Sequence, residues 1–327
     1  MTNADGPVQY MARTRYYYRA LGYNRDYVWA THDDVPFTRL AKPLPESRVA
    51  LITTASPPDF DGIKRVWSGR VSSPPPTLFT DNVAWDKEST HTNDRASFLP
   101  IEAVSALVSE GLVAGLTARF HGVPTEYSQR KSRTEDAPEV LSRVRADAAD
   151  VAILCPLCPV CHQTLSLVAR HLEANGIPTV LIGSAKDVVE YCGVARFYFT
   201  DFPLGNPCGH PWRHDLQLEI VRQALRLFHD ANAPRTTVTA PFSWMEDGAL
   251  WRPRYGRVDP SNLDRLRAIG DERRRQQAAK KKVRMAEAIS ERAAGGAFSW
   301  PPTAQSCLQS GAERTRRGHR EADVVDP

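Results

Sequence analysis

The stretch Val151-Ala152-Ile153-Leu154-Cys155-Pro156-Leu157-Cys158-Pro159-Val160-Cys161-His162 decides how the rest of the chain is read. Four apolar residues read as a buried strand, three cysteines follow in overlapping C-x-x-C spacing, and Gln163 to Glu173 has the apolar spacing of an amphipathic helix. The cysteines therefore fall at a strand-to-helix turn. In an open parallel sheet such turns form the edge where ligands bind, and the N–H groups of a helix N-terminus stabilise a thiolate.

Outward from this turn the same alternation repeats. Arg48 to Thr54 is a continuous apolar run ending in small polar residues, as expected of a central parallel strand opening into a loop. Ala55 to Pro76 reads as a proline-punctuated loop, and Leu78 to Trp85 as a stretch containing a strand. Pro100 to Leu112 is helical by spacing, Val113 to Phe120 is a strand, and Ala137 to Ala148 is a helix. Ile177 to Gly183 and Val194 to Thr200 are strands around a short helix from Ala185 to Tyr191, and Asp215 to Ala231 is a closing helix. This order predicts an α/β fold with a doubly wound, mostly parallel sheet and helices on both faces.

Four regions are expected. Residues 1–45 form an aromatic and basic N-terminal arm, 46–233 the α/β domain, 234–294 an aromatic then charged helical extension, and 295–327 a disordered tail. The arm reads as helical and packed on the main domain, with an interaction surface as the alternative. The chain has 327 residues, 42% hydrophobic, 24% charged, with net charge +4. These values allow a core without disulfide staples and do not argue for nucleic acid. Half of the six cysteines crowd into one turn, unlike a secreted disulfide framework. Met1 to Tyr10 lacks the plan of a signal peptide, and no stretch approaches the roughly 20 apolar residues that span a bilayer. A cytoplasmic protein is expected, where clustered cysteines bind metal or carry redox chemistry.

From about Ser47 to Phe228 the chain resembles the glycine/sarcosine/betaine/D-proline reductase selenoprotein B family, including its cysteine-containing homologues. The matching residues are the Arg48 to Thr54 strand, Ser89-Thr90-His91, Phe120-His121, Cys155-Pro156-Leu157-Cys158, Gly176-Ile177-Pro178-Thr179-Val180 and Phe202-Pro203-Leu204-Gly205-Asn206-Pro207. The resemblance implies a nucleophile at Cys155, where the selenoproteins carry selenocysteine. It also implies reductive cleavage of a C–N bond, alongside a pyruvoyl subunit and carrier proteins.

The residues themselves support redox chemistry independently. Cysteines two apart at a helix start reach each other to form a disulfide, and the helix terminus lowers a thiol to about 3.5–7.5 from about 8.5. Cys155 would attack and Cys158 would resolve the adduct by thiol-disulfide exchange. His91 and His121 each follow a strand and are candidate general acids. Asp94 and Arg95 are candidate ligands for a substrate's charged groups, with Thr53, Thr54 and Asn206 completing the candidate substrate edge. Against each stands a structural role in a strand end or solvated loop. The competing reading is a metal site for iron-sulfur or zinc, built from Cys155, Cys158 and Cys161 with Cys208, His162 or His210 as a fourth ligand. A third reading leaves the cysteines as small buried residues.

No phosphate-cradling glycine motif is present, so no nucleotide cofactor is expected, and none other unless the metal reading holds. The basic run from Arg273 to Arg284 suits a solvated helix or a docking tail, without the aromatic-basic platform of a nucleic-acid binder. The expected partners are a small-molecule substrate and a thiol electron donor or partner subunit, without membrane or nucleic acid. The alternative is a metal-binding or protein-interaction module on the same scaffold.

Overall fold

The computed structural model describes residues 6–244 and 250–294; the tail expected to be disordered from Gly295, with Cys307, lies outside the described residues. The chain divides into two units. The larger holds Met1–Tyr17 and Arg25–Val258, and the smaller holds Tyr18–Asn24 with the chain from Asp259.

In the larger unit the strands are β1 (Arg48–Thr53), β2 (Trp67–Arg70), β3 (Gly115–Leu116), β4 (Arg119–Gly122), β5 (Val151–Cys155), β6 (Thr179–Gly183), β7 (Arg196–Phe199) and β8 (Thr236–Thr239). They form one sheet in the order β2-β4-β1-β5-β6-β7-β8, with β3 also paired to β1. Every pairing is parallel except β2 with β4. The expected α/β class and mostly parallel sheet are what the chain adopts. After β4 the chain crosses back over β1 to add β5 on the far side, so the winding reverses between β1 and β5, where a doubly wound sheet opens its ligand crevice.

Helices cover both faces, which is why β1 and β5 read as unbroken apolar runs. On one face α2 (Ile101–Ser109) and α7 (His214–Asp230) pack Val104, Leu107, Ile220 and Ala224 against Val49, Leu51, Val151, Ile153 and Cys155. On the other, α4 (Ala137–Ala146) and α5 (Pro159–Ala174) pack Val140, Val144, Leu165 and Val168 against Ala50, Ile52, Ala152 and Leu154. A seven-residue helix, α6 (Lys186–Cys192), links β6 to β7. At the antiparallel edge two aromatic rings lie across the glycines opposite them. Trp67 faces Gly122 and Gly69 faces Phe120, and a Cβ on Gly122 or Gly69 would come within 1.8 Å of the indole or 2.3 Å of the phenyl ring.

Several boundaries depart from the sequence reading. Strand β2 lies inside the stretch read as a loop, whereas the region from Leu78 to Trp85 contributes only an isolated bridge, Ser56 to Phe79. The run from Val113 splits into β3 and β4 around Thr117, whose hydroxyl turns back to Arg119 O at 2.7 Å. Before α4 stand a short helix α3 (Gln129–Lys131) and a π-helical turn (Ser132–Asp136). The sheet also runs past Ala233. Strand β8, whose Thr-Thr-Val-Thr sequence has too weak an apolar pattern to announce itself, pairs with β7, and Trp244 and Trp251 are buried in the same core.

Among the described residues of the N-terminal arm, α-helix is confined to α1 (Tyr10–Ala20), with a 3-10 turn (Leu44–Glu46) at the end of the arm. Its extended continuation is tied to α5. Ala30 N–H donates to Gln163 at 2.7 Å, and Thr38 N–H to Glu173 at 2.6 Å. In the smaller unit α8 (Leu263–Ala294) carries the basic run, and Gly270 lets its backbone meet that of Leu21, where a Cβ would lie 1.8 Å from the carbonyl oxygen. Arg274 donates to Leu21 O and to Asp271.

Glu173 gathers four donors. Thr38 N–H, Thr179 N–H, the Thr179 hydroxyl and Arg196 all bond its carboxylate, and the Arg196–Glu173 pair at 2.9 Å has no exposed side-chain surface. Burial pushes the Glu173 carboxyl up and the Arg196 guanidinium down, as expected of two desolvated charges that depend on each other. Glu173→Ala strands a buried cation and should destabilise the chain by about 3–5 kcal/mol. Chemical denaturation measures this, and a loss below about 1 kcal/mol would rule the role out.

Candidate active site

Parallel register sets Thr53 opposite Cys155, so the turns after β1 and β5 leave the sheet side by side. Thr53 donates its hydroxyl to Cys155 O at 3.4 Å, and Thr54 Oγ1 accepts from Leu157 N–H at 3.2 Å. The two threonines expected at a substrate edge thus shape the cysteine turn. Pro159 occupies the first position of α5, where a missing N–H costs nothing. Cys158 is the N-cap, and its sulfur accepts from Cys161 N–H at 3.2 Å as a serine oxygen would.

Cys155, Cys158, Cys161 and Cys208 are all buried and reduced, and they fall into two pairs. Cys155 Sγ lies 3.4 Å from Cys208 Sγ. Burial, and then the contact with Cys155, pushes the Cys208 thiol well up. In the second pair burial pushes Cys161 up, but hydrogen bonds from Cys158, Thr125 and Thr54 outweigh it and leave Cys161 at about 7. Cys158 is driven well up by burial and by sharing its proton with Cys161. Thr125 Oγ1 stands 3.0 Å from Cys161 Sγ.

Cys208 sits on the loop after β7, and the polar residues after Trp85 stitch that loop down. Thr90 donates to Asn206 Oδ1 at 2.6 Å, Asn206 donates to His91 O at 3.1 Å, and Cys208 N–H donates to Ser97 O at 2.8 Å. Asp94 accepts from Ala96, Trp212 and Gln217. Arg95 is spent on Pro75 O and Glu102. Asn206, Asp94 and Arg95, expected to hold substrate, are here engaged in building the loop. His91 is half-buried, with its ring 4.9 Å from that of the exposed Trp212.

His121 is not brought to the thiols. It pairs with Ile52 in register, so its side chain lies on the opposite sheet face from Cys155. There Ser68 Oγ stands 2.9 Å from Nδ1, and Asp147 lies 3.3 Å from Nε2 without hydrogen-bond alignment. Burial brings His121 down to about 4. His162 uses both ring nitrogens: Nδ1–H donates to Cys158 O at 2.7 Å, and Nε2 accepts from Ser184 and Ala185 N–H at 2.9 and 3.1 Å. His210 is stacked on Trp244 at 3.7 Å. The alternative ligand set of four cysteines is divided between the two pairs, and among the described residues no group of three or more His, Cys, Asp or Glu side chains is placed to hold a metal ion.

Sequence reading passed over the surroundings of Cys161. Thr125 lies three residues past the end of β4, and Glu126 beside it pairs with Lys131 at 2.7 Å. Asp136 ends the π-helical turn with Oδ2 unpartnered, its carboxyl pushed up to about 6 by burial. The signal for Thr125 was its place after a strand, the argument applied to Thr53 and Thr54. Nothing in the spacing of α4 announced the π turn, which recurs at functional sites. A cleft of about 60 Å³ is lined by Ala55, Ser56, Lys64, Trp67, Asn82 and Pro124, and Lys64 in its wall donates to Thr125 O at 2.9 Å. Ala55 and Pro124 are the chain neighbours of Thr54 and Thr125.

No family model and no solved structure matches this chain. It is similar to D-proline reductase subunit gamma of Acetoanaerobium sticklandii, 26% identical over 147 residues, which cover 45% of this chain and 61% of that protein. The chain thus spans about three fifths of that relative's length, and the similarity supports a distant relationship to the proline and glycine reductases. No described helix is long and apolar enough to cross a membrane.

Burial holds His162 at about 4, below the ordinary 6.5. A base lowered on folding contributes stability that is fully present above about 6.5 and lost as pH falls towards 4. The His162 ring resonances should titrate with a midpoint near 4. The stability difference between the native chain and His162→Gln should shrink by about 3 kcal/mol from pH 7 to 4. A midpoint at 6.5 would overturn the assignment.

Proposed function

We propose that the chain is a thiol-dependent, reductase-like protein that cleaves a C–N bond in a small amino-acid-like substrate, with Cys155 as the attacking thiol. The observation that carries this reading is the gathering of four reduced thiols at the crossing point of a doubly wound sheet. The distant relative named as a D-proline reductase subunit supplies the reaction class and suggests D-proline as a first substrate to try.

In the proposed chemistry the Cys155 thiolate attacks the carbon bearing both nitrogen and carboxyl group. The C–N electron pair leaves with nitrogen, which takes a proton, and a thioether remains on Cys155. A second thiol then returns two electrons, forming a disulfide and releasing the carbon fragment with a hydrogen in place of nitrogen. An external dithiol restores the resting pair. His91, close to the loop bearing Cys208, is the proposed proton donor to nitrogen, and Thr53 and Thr54 hold the turn in place. Cys161, held by Thr54 and Thr125, is a second thiol in a polar setting. Reduced thiols suit a cytoplasmic setting, and the relative's designation as a subunit suggests partner subunits for this chain as well.

The test is an anaerobic assay of the chain, with any proteins that copurify with it, using dithiothreitol as donor and D-proline, L-proline, sarcosine and glycine as substrates. Reductive opening of proline would give 5-aminopentanoate, and Cys155→Ser should lower the rate by at least about a thousandfold. Turnover that survives Cys155→Ser, or no amine product from any of the four, sinks the reading. Iron or zinc bound stoichiometrically and lost with Cys155 would make the cysteines a ligand set instead.

A further inference from the structure

We infer that Cys208, not the sequence-adjacent Cys158, is the thiol that resolves the adduct on Cys155. The inference deepens the reductase reading and rests on Cys155 being the attacking residue. The C-x-x-C spacing points to Cys158, but that sulfur caps α5 and is engaged with Cys161. The sulfur of Cys208 is already 3.4 Å from that of Cys155, although 53 positions separate them in the chain. A covalent S–S bond is about 2.05 Å, so small side-chain rotations close the gap.

The chain around Cys208 is built to hold that sulfur in place. Its own N–H is bonded to Ser97 O, and Thr200 donates its hydroxyl to Pro207 O at 2.9 Å. Asn206, fully buried, anchors the loop to Thr90 and His91, while Asp94 takes the N–H of Trp212 just beyond. Bonds on both sides of Cys208 thus fix it against the end of β5. A Cys155–Cys158 disulfide would instead remove the cap of α5 and strain a turn already restricted by Pro156.

In the resolving step the Cys208 sulfur bonds to the Cys155 sulfur, the Cys155–carbon bond breaks, and its electron pair goes to carbon. The proton released by Cys208 is taken up by that carbon. Two thiols are oxidised to one disulfide and the substrate fragment gains two electrons, so the step balances without a further reactant. An external dithiol then re-reduces the pair.

The experiment needs no substrate. The full chain, reduced and kept free of oxygen, is titrated with diamide, quenched with iodoacetamide and mapped by mass spectrometry. A Cys155–Cys208 linkage should be the predominant disulfide involving Cys155. A Cys155–Cys158 linkage, or alkylation of both Cys155 and Cys208 at every oxidant level, overturns the proposal. The second measurement follows the peptide carrying Cys155 after addition of 4,4′-dithiodipyridine. In the native chain and in Cys158→Ser the thiopyridyl adduct should be resolved to a disulfide. In Cys208→Ser and Cys208→Ala it should persist at least about tenfold longer. Equal lifetimes in Cys208→Ser and native protein overturn the inference. A missing substrate turnover with the Cys155–Cys208 linkage intact would count against the reductase reading alone.

Discussion

The functional geometry of the larger unit depends on the parallel pairing of β1 with β5, held in register over five residue pairs from Val49–Val151 to Thr53–Cys155. Because both strands are buried on both faces, a slip of one residue would send Cys155 to the α4/α5 side and Leu154 to the α2/α7 side. The register therefore fixes which face receives the thiol. It also sets Thr54 beside Leu157, so the turn bearing three cysteines is shaped by a hydroxyl from the neighbouring strand.

The central strand, the turn and the helix after it were legible because the apolar run and the proline at the helix start are local signals. The doubly wound class followed from their repetition. What remained hidden was non-local. The partnership of Cys155 with Cys208 depends on a loop 53 positions away, and its anchoring by Asn206 and Asp94 is a set of long-range hydrogen bonds with no sequence period. His121 was misdirected for a different reason: period-two alternation puts its side chain on the face opposite Cys155, which its place at a strand end did not reveal. Strands β2 and β8 escaped notice because edge strands carry less apolar sequence than central ones.

The polar groups under the turn explain how so dense a cluster of sulfur is accommodated in a core. His162, fully buried, bridges Cys158 O to the N–H groups of Ser184 and Ala185, tying the start of α5 to the turn after β6. Its ring lies against Gly183, where a Cβ would approach within 2.8 Å. Three backbone groups at the sheet edge are thereby satisfied by one neutral side chain, leaving the sulfurs to interact with hydroxyls and with each other.

The two aromatic rings laid across glycines at the β2–β4 edge bear on how this domain is able to vary through evolution. Trp67 occupies the space above Gly122 and sends its indole N–H to Ala55 O, while Phe120 fills the space at Gly69 and meets Trp67 edge-on. Each large residue thus needs its small opposite, and the two pairs touch. A drift at one position is tolerated only with a matched change across the ladder, so the four sites form a single heritable unit. Because Ala55 follows the two threonines of the crevice, that unit also ties the rim of the sheet to the wall of the cleft.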